Sequence, residues 1–259
     1  MRFVRFRDKA GAAQFGWIFE DKVGLLEGDM FSEYQRREAE PPLSGLTLLA
    51  PVLPGKVICV GRNYAAHAAE HDAEVPEYPL IFLKPPSSVI GPNEAIRLPP
   101  QSQKVEHEGE LAVVIGKRGR WMQPDDALEI VFGYTIANDV TARDLQRQDG
   151  QWTRAKGFDT FCPVGPWIDT SFDPADSMLS CHVNDELRQM APTRDMVFSL
   201  SDLIVFISSV MTLQPGDLIL TGTPAGVGVL TPGDRVSVKI DRLGELSNPV
   251  VTDTRKQVD

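Results

Sequence analysis

The chain has no stretch approaching about 18 uninterrupted apolar residues, the length a membrane-crossing helix needs. Its opening, MRFVRFRDKAGAAQFGW, lacks the apolar centre of a secretory leader. Neither export nor a membrane span is expected, and the expected location is cytoplasmic. Runs of lysine and arginine are also missing, and 36 acidic against 26 basic residues leave a formal net charge of -10. A nucleic-acid surface needs clustered positive charge to displace counterions from phosphates, so nucleic acid is a poor partner class. Cysteine is scarce: Cys59, Cys162 and Cys181 are odd in number and form no CxxC pair, so all three read as reduced. No Cys or paired-His set at zinc spacing is apparent among these residues.

What is present is an ordinary globular composition, 42% hydrophobic and 24% charged, with 21 Gly and 20 Pro spread along 259 residues as turn punctuation. That length suits one main domain with a small appendage. Residues 1–50 alternate apolar and polar in RFVRF and QFGWIFEDKVGLLEG, the pattern of short strands joined by turns. PPLSGLTLLAPVLPGK then interrupts the pattern, and residues 51–259 read as a separate catalytic domain. Its runs VICVG, LIFLKP, ELAVVIG, IVFGYTIANDV, CHVNDEL, DLILTG and RVSVKI are rich in β-branched residues. Helical pattern is confined to NYAAHAAEH, DDALEIV and SLSDLIVFISSVM, the last with Ser201 as its expected N-cap. With no internal repeat and no regular strand–helix alternation, the expectation is a β-rich α+β fold, a roll or sandwich decorated by a few helices.

The segment VEHEGELAVVIG sets Glu108 and Glu110 two residues apart at the start of a strand, so alternation points both carboxylates to one face. GYTIANDV ends an apolar run in Asp139, where a charge needs a specific partner. A shared cation would supply it, and an all-oxygen donor set favours Mg²⁺ or Mn²⁺ over zinc. His67 and Glu70 lie three apart in NYAAHAAEH, on one helical face, close enough for the carboxylate to orient the imidazole as a base that activates water. Arg143 and Asp144, adjacent in TARD, read as a structural ion pair, and His71, His107 and His182 read as structural or solvent-facing.

GRNYAAH, FLKP, HEGELAVVIG, NDVTARD, QWTRAKGFDTFCPVGPW and LTGTPAGVG occur in an order that closely resembles the fumarylacetoacetate hydrolase family over roughly residues 50 to 250. The resemblance implies a mixed β-roll of that family's C-terminal type, a homodimer, and Mg²⁺ or Mn²⁺ held by Glu108, Glu110 and Asp139. It also implies that Lys156 meets the substrate's acid or enol oxygen, that Gln146 and Thr223 help hold its carboxylate, and that His67 and Glu70 ride on a segment closing over the bound substrate. Gly222, in the same TGTPAGVG turn, offers a backbone N–H to an anion.

Three carboxylates around a divalent ion leave the group one unit negative, which calls for a cation such as Lys156 beside an anionic substrate. The chemistry expected is Mg-dependent hydrolysis of a C–C bond in acylpyruvate-type 2,4-dioxo acids, through an enolate. The alternatives are an isomerase of the 2-hydroxyhepta-2,4-diene-1,7-dioate type, an oxaloacetate decarboxylase and, from another class, a non-catalytic dicarboxylate-binding protein. The expected partner is a small anionic oxo acid, not a membrane or nucleic acid.

Overall fold

The computed structural model describes residues 1–254, so the last five residues of the expected 51–259 domain lie outside the described part. The N-terminal segment forms an antiparallel meander of β1 (Arg2–Arg7), β2 (Ala13–Phe19), β3 (Lys22–Gly28) and β4 (Tyr34–Pro42). The meander joins the main sheet where β1 pairs with the strand Cys162–Asp169, through Arg2 opposite Asp169 and Phe3 opposite Ile168. From there the twelve-stranded sheet continues through Val131–Asn138, Gly109–Ile115, Leu218–Leu220, Val57–Gly61 and Leu80–Lys84. Pairing is mixed: Leu218–Leu220 runs parallel to Val57–Gly61, while most other neighbours are antiparallel. A five-stranded sheet packs against it, and a three-stranded sheet carries Val105–His107. The expected β-rich α+β class with mixed sheets is the one observed. No helix among the described residues is long and apolar enough to cross a membrane.

The strand Gly109–Ile115 is buried along its whole length. Its odd residues Leu111, Val113 and Ile115 enter one core with Leu179, Val236 and Val238, while Ala112 and Val114 enter a second core with Cys59, Val164 and Phe3. A strand covered on both faces needs apolar residues at every position, which is why the run LAVVI that follows Glu110 is unbroken by charge.

Among the described residues four α-helices decorate the sheets: α1 (Ala65–Glu70), α2 (Arg143–Asp149), α3 (Thr153–Lys156) and α4 (Leu200–Val210). On α4 the cap is Ser199, two residues before the expected Ser201: its hydroxyl accepts from Asp202 N, and the Asp202 carboxylate accepts from Ser199 N. A reciprocal box of this kind satisfies two otherwise orphaned donors, which Ser201 could not do from inside the first turn. DDALEIV yields only a 3₁₀ turn at Ala127–Ile130. The helices α2 and α3 and the strand Cys162–Asp169 were not expected. Seven and four residues are too few to show a helical period, and Pro163 and Pro166 mask the strand.

Candidate active site

Strand pairing brings the carboxylates together. Gly109 lies opposite Asn138, so Glu108 and Asp139, one residue beyond each, meet at the same end of the sheet. Asp139 N donates to Glu108 O (2.8 Å), and Glu108 N donates to Asn138 Oδ1 (2.9 Å). Oxygens of Glu108, Glu110 and Asp139 lie within 4.8 Å of one another, and the three residues are 4%, 1% and 1% exposed. Three carboxylates this deep need compensation. Lys156 Nζ donates to Glu108 Oε2 (2.7 Å) and Asp139 Oδ2 (2.6 Å), and Lys84 Nζ donates to Asp139 Oδ1 (2.5 Å). The Arg143 guanidinium donates to Glu106 Oε2 (2.7 Å), Glu108 Oε1 and Gln146 Oε1 (2.7 Å).

Glu110 is the exception. Among the described residues its only hydrogen bond is from Gly222 N (2.7 Å), and no cation pairs with it. Burial, followed by the charges of Asp139 and Glu108, pushes its carboxyl well above the usual range. Burial acts the same way on Glu108, but Lys156 and Arg143 overcome it and hold that carboxyl below the usual range. Burial opposes the Lys156 charge too, and Asp139 and Glu108 outweigh it, raising that ammonium. The cluster is therefore short of positive charge on the side of Glu110, and its donors are all oxygen. Both properties fit a hard divalent cation held by the three carboxylates.

These groups open onto a small cleft of about 70 Å³ lined also by His67, His71, Arg143, Gln146, Trp152 and Thr223. One wall is aromatic: Phe82 and Trp152 meet edge to face with centroids 5.1 Å apart, and Lys156 Nζ sits 5.0 Å from the Phe82 centroid. A Cβ on Gly61 would come within 2.8 Å of the Trp152 ring, so only glycine lets that wall close. A polar floor facing an aromatic wall suits a small planar anion.

The short helix α1 borders the same cleft. His67 Nδ1 lies 3.4 Å from Glu70 Oε2, and Gly226 N donates to both Glu70 oxygens (3.1 and 3.2 Å). Burial lowers the His67 pKa, which favours the neutral ring that can accept a proton. Buried Asn63 secures the root of α1, donating to Thr221 O (2.7 Å) and accepting from Phe198 N (2.7 Å).

Several sequence-level readings need correction. Gly222 does not line the cleft; its N–H is committed to Glu110, and Gly226 N is committed to Glu70, so the turn binds the protein's own carboxylates rather than a substrate anion. Its φ of +99° and a Cβ position 2.7 Å from that of Asn63 explain the glycine. Thr223 does reach the cleft, with its hydroxyl donating to Gly109 O (2.8 Å) and accepting from Gln189 Nε2 (2.7 Å). Arg143 and Asp144 do not pair with each other: Arg143 faces the cluster, and Asp144 accepts from Ser102 Oγ (2.6 Å) and Gln103 N (2.8 Å). His71 is neither structural nor simply solvated, for it lines the cleft with its ring 4.7 Å from that of His67. Lys84 was also missed; the signal for it was a lysine closing the apolar run LIFL, where a buried charge needs a partner.

Residues 56–251 match the family described as fumarylacetoacetate (FAA) hydrolase, C-terminal, and residues 1–51 match one described as Rv2993c-like, N-terminal. The chain is 49% identical over 222 residues to a Rattus norvegicus protein named oxaloacetate tautomerase Fahd2a, mitochondrial, covering 81% of this chain and 71% of that one. A solved structure described as 2-hydroxyhepta-2,4-diene-1,7-dioate isomerase from Mycobacterium marinum gives a TM-score of 0.91 at 45% identity, covering 98% of this chain and 100% of that chain. Maleylpyruvate hydrolase from Sphingobium sp. SYK-6, solved with manganese(II) ion and pyruvate, gives a TM-score of 0.81 at 35% identity, with coverage of 98% and 100%.

Proposed function

The chain belongs to the fumarylacetoacetate hydrolase family, and from that premise we propose that it is a Mg²⁺- or Mn²⁺-dependent enzyme interconverting keto and enol forms of small 2-oxo dicarboxylic acids of the oxaloacetate type. One observation carries the reading: a buried three-carboxylate cluster, a buried ammonium and a neutral imidazole converge on a single cleft. The names of the rat tautomerase and the Mycobacterium marinum isomerase support it, since both reactions move a proton next to a carbonyl.

In this reading Glu108, Glu110 and Asp139 hold the ion, which when bound supplies Lewis-acid polarisation of the 2-oxo group. Lys156 balances the negative charge that grows on the enol oxygen. Arg143 spends three of its five donors on Glu106, Glu108 and Gln146, leaving two for a substrate carboxylate. Because Gln146 gives its oxygen to Arg143, its NH₂ end is the one free to donate to the same carboxylate. His67, oriented by Glu70, takes the proton from the carbon beside the keto group and gives it to the enol oxygen, and the reverse transfer restores the keto form. The Phe82–Trp152 wall keeps bulk water off one face of the substrate.

A second reading, C–C hydrolysis of acylpyruvate-type acids, is favoured by the His67–Glu70 pair, which can deprotonate water as readily as carbon. The Sphingobium hydrolase supports it by name. A homodimer, implied by the family resemblance, belongs to the proposal and is checked by light scattering. The deciding experiment is a spectrophotometric panel of enol oxaloacetate, acylpyruvates and hydroxy-diene dioates, run with Mg²⁺ and with EDTA. Fast, EDTA-sensitive ketonisation with slow acylpyruvate cleavage supports the first reading and the reverse supports the second. No turnover of any of them would sink both and leave a binding protein.

A further inference from the structure

The cleft holds a second cluster of donors whose chemistry differs from that of the carboxylates. Two of the chain's four histidines, His67 and His71, fall on α1 and its C-terminal cap with Glu70 between them, in the spacing H-x-x-E-H. Residues three and four apart share a helical face, and here one ligand atom from each of His67, Glu70 and His71 lies within 4.8 Å of the others. Histidines four apart on one face are a recurrent way to hold zinc. The sequence expectation that no paired-His set exists is thus corrected by the geometry.

Two further observations point to a ligand. His71 Nε2 is buried and has no hydrogen-bond partner among the described residues, although a buried ring nitrogen ordinarily finds one. Glu70 is already oriented by Gly226 N, which bonds both of its oxygens, the kind of outer hydrogen bond that fixes a metal-binding carboxylate. Both imidazoles line the cleft, so an ion there could take water or a ligand oxygen as its fourth partner.

We propose that His67, Glu70 and His71 form a second metal site, selective for a borderline divalent ion of the zinc class, whose occupancy withdraws His67 and Glu70 from proton transfer. Nitrogen donors separate it from the carboxylate cluster, because imidazole suits Zn²⁺, Co²⁺, Ni²⁺ and Cu²⁺ while an all-oxygen set suits Mg²⁺ and Mn²⁺. One cleft then carries an activating ion on its strand side and an inhibiting one on α1. The metal site itself needs only the geometry of α1, and its inhibiting effect rests on the proton-transfer role proposed above for His67 and Glu70.

The test uses metal binding and no substrate. Co²⁺ and Zn²⁺ are titrated into the full chain with Mg²⁺ saturating, following calorimetric stoichiometry and the visible absorption of Co²⁺. The expected result is one Co²⁺ per chain with the intense bands of a four-coordinate, nitrogen-containing site. H71Q should weaken that binding at least about tenfold, and D139N should leave it intact. Loss in D139N with retention in H71Q would place the ion among the carboxylates and overturn the proposal. X-ray absorption at the zinc edge of the unmutated protein gives an answer that needs no variant. Two imidazole ligands support the site, and an all-oxygen shell overturns it.

Discussion

The two sides of the cleft are built on different principles. The carboxylate side hangs on long, doubly covered strands, and Glu108 and Asp139 are locked to each other through backbone bonds. The α1 side is a six-residue helix held at its root by Asn63 and at its far end by the Glu70–Gly226 bonds. A helix that short is not stable by itself and depends on those attachments. We call the strand-borne half rigid and the half pinned only at its two ends movable, and the proposed function gives proton transfer to the second.

The largest effects should come from breaking the rigid half. Asp139→Ala is expected to abolish turnover, by at least about 10³-fold, because it removes an ion ligand and the shared partner of two buried lysines. It should also destabilise the fold by about 3–5 kcal/mol, since Lys84 is left as an uncompensated buried charge and Lys156 keeps Glu108 alone. Denaturant unfolding and Mg²⁺ calorimetry check both, and unchanged Mg²⁺ affinity would remove Asp139 from the ion site.

Lys156→Met should lower kcat/KM by about 10²–10³-fold while Mg²⁺ affinity is held or raised, because the ammonium competes with the ion for Glu108 and Asp139. A fall in affinity would mean that Lys156 organises the ligands instead of serving the substrate.

Breaking the movable half should split the reactions. His67→Ala is expected to cost about 10²–10⁴-fold in keto–enol exchange or acylpyruvate cleavage, and far less in oxaloacetate decarboxylation, which needs no general base. Equal losses in all three would instead make α1 an ordering element.

Chelation separates the halves thermally. Mg²⁺ at a hundredfold excess over its Kd should stabilise the chain by about 2.7 kcal/mol, a gain that EDTA removes from the unmutated protein and that is missing in Asp139→Asn. His67→Ala should keep the gain, and its loss there would contradict the division of labour.

The smallest expected effect belongs to Glu70→Gln. The clasp to Gly226 survives on a neutral oxygen, so hydrogen exchange in residues 65–71 should quicken only several-fold. Exchange as fast as in an unfolded segment would show that the charge itself holds α1 down.

The sequence disclosed the rigid half better than the movable one. Glu108, Glu110 and Asp139 stood out because charges beside unbroken apolar strands demand an explanation. Arg143 was hidden by its neighbour: adjacent helical residues point in different directions, so Asp144 turns to the Ser102 loop while Arg143 turns inward. The helix α2 that causes this is too short and too polar to show a period. His71 was passed over although it stands four residues after His67 in H-x-x-E-H, because Glu70 by itself accounted for the His67 pairing. Gly222 looked like an anion cradle, but a turn's N–H groups do not reveal in sequence which carboxylate they serve.

The pairing of β1 with Cys162–Asp169 bears on how the protein behaves in a crowded solution. That strand would otherwise present unpaired backbone groups at Ile168 and Asp169 on the margin of a large sheet, a template on which another chain can align. The meander occupies that margin, with Arg2 bound to Asp169 (3.0 Å) and Phe3 packed on Phe132 (5.1 Å). Residues far from the chemistry thus act as a seam allowance, turning a raw hem of the catalytic sheet inward and carrying the free edge out to β4, away from the cleft.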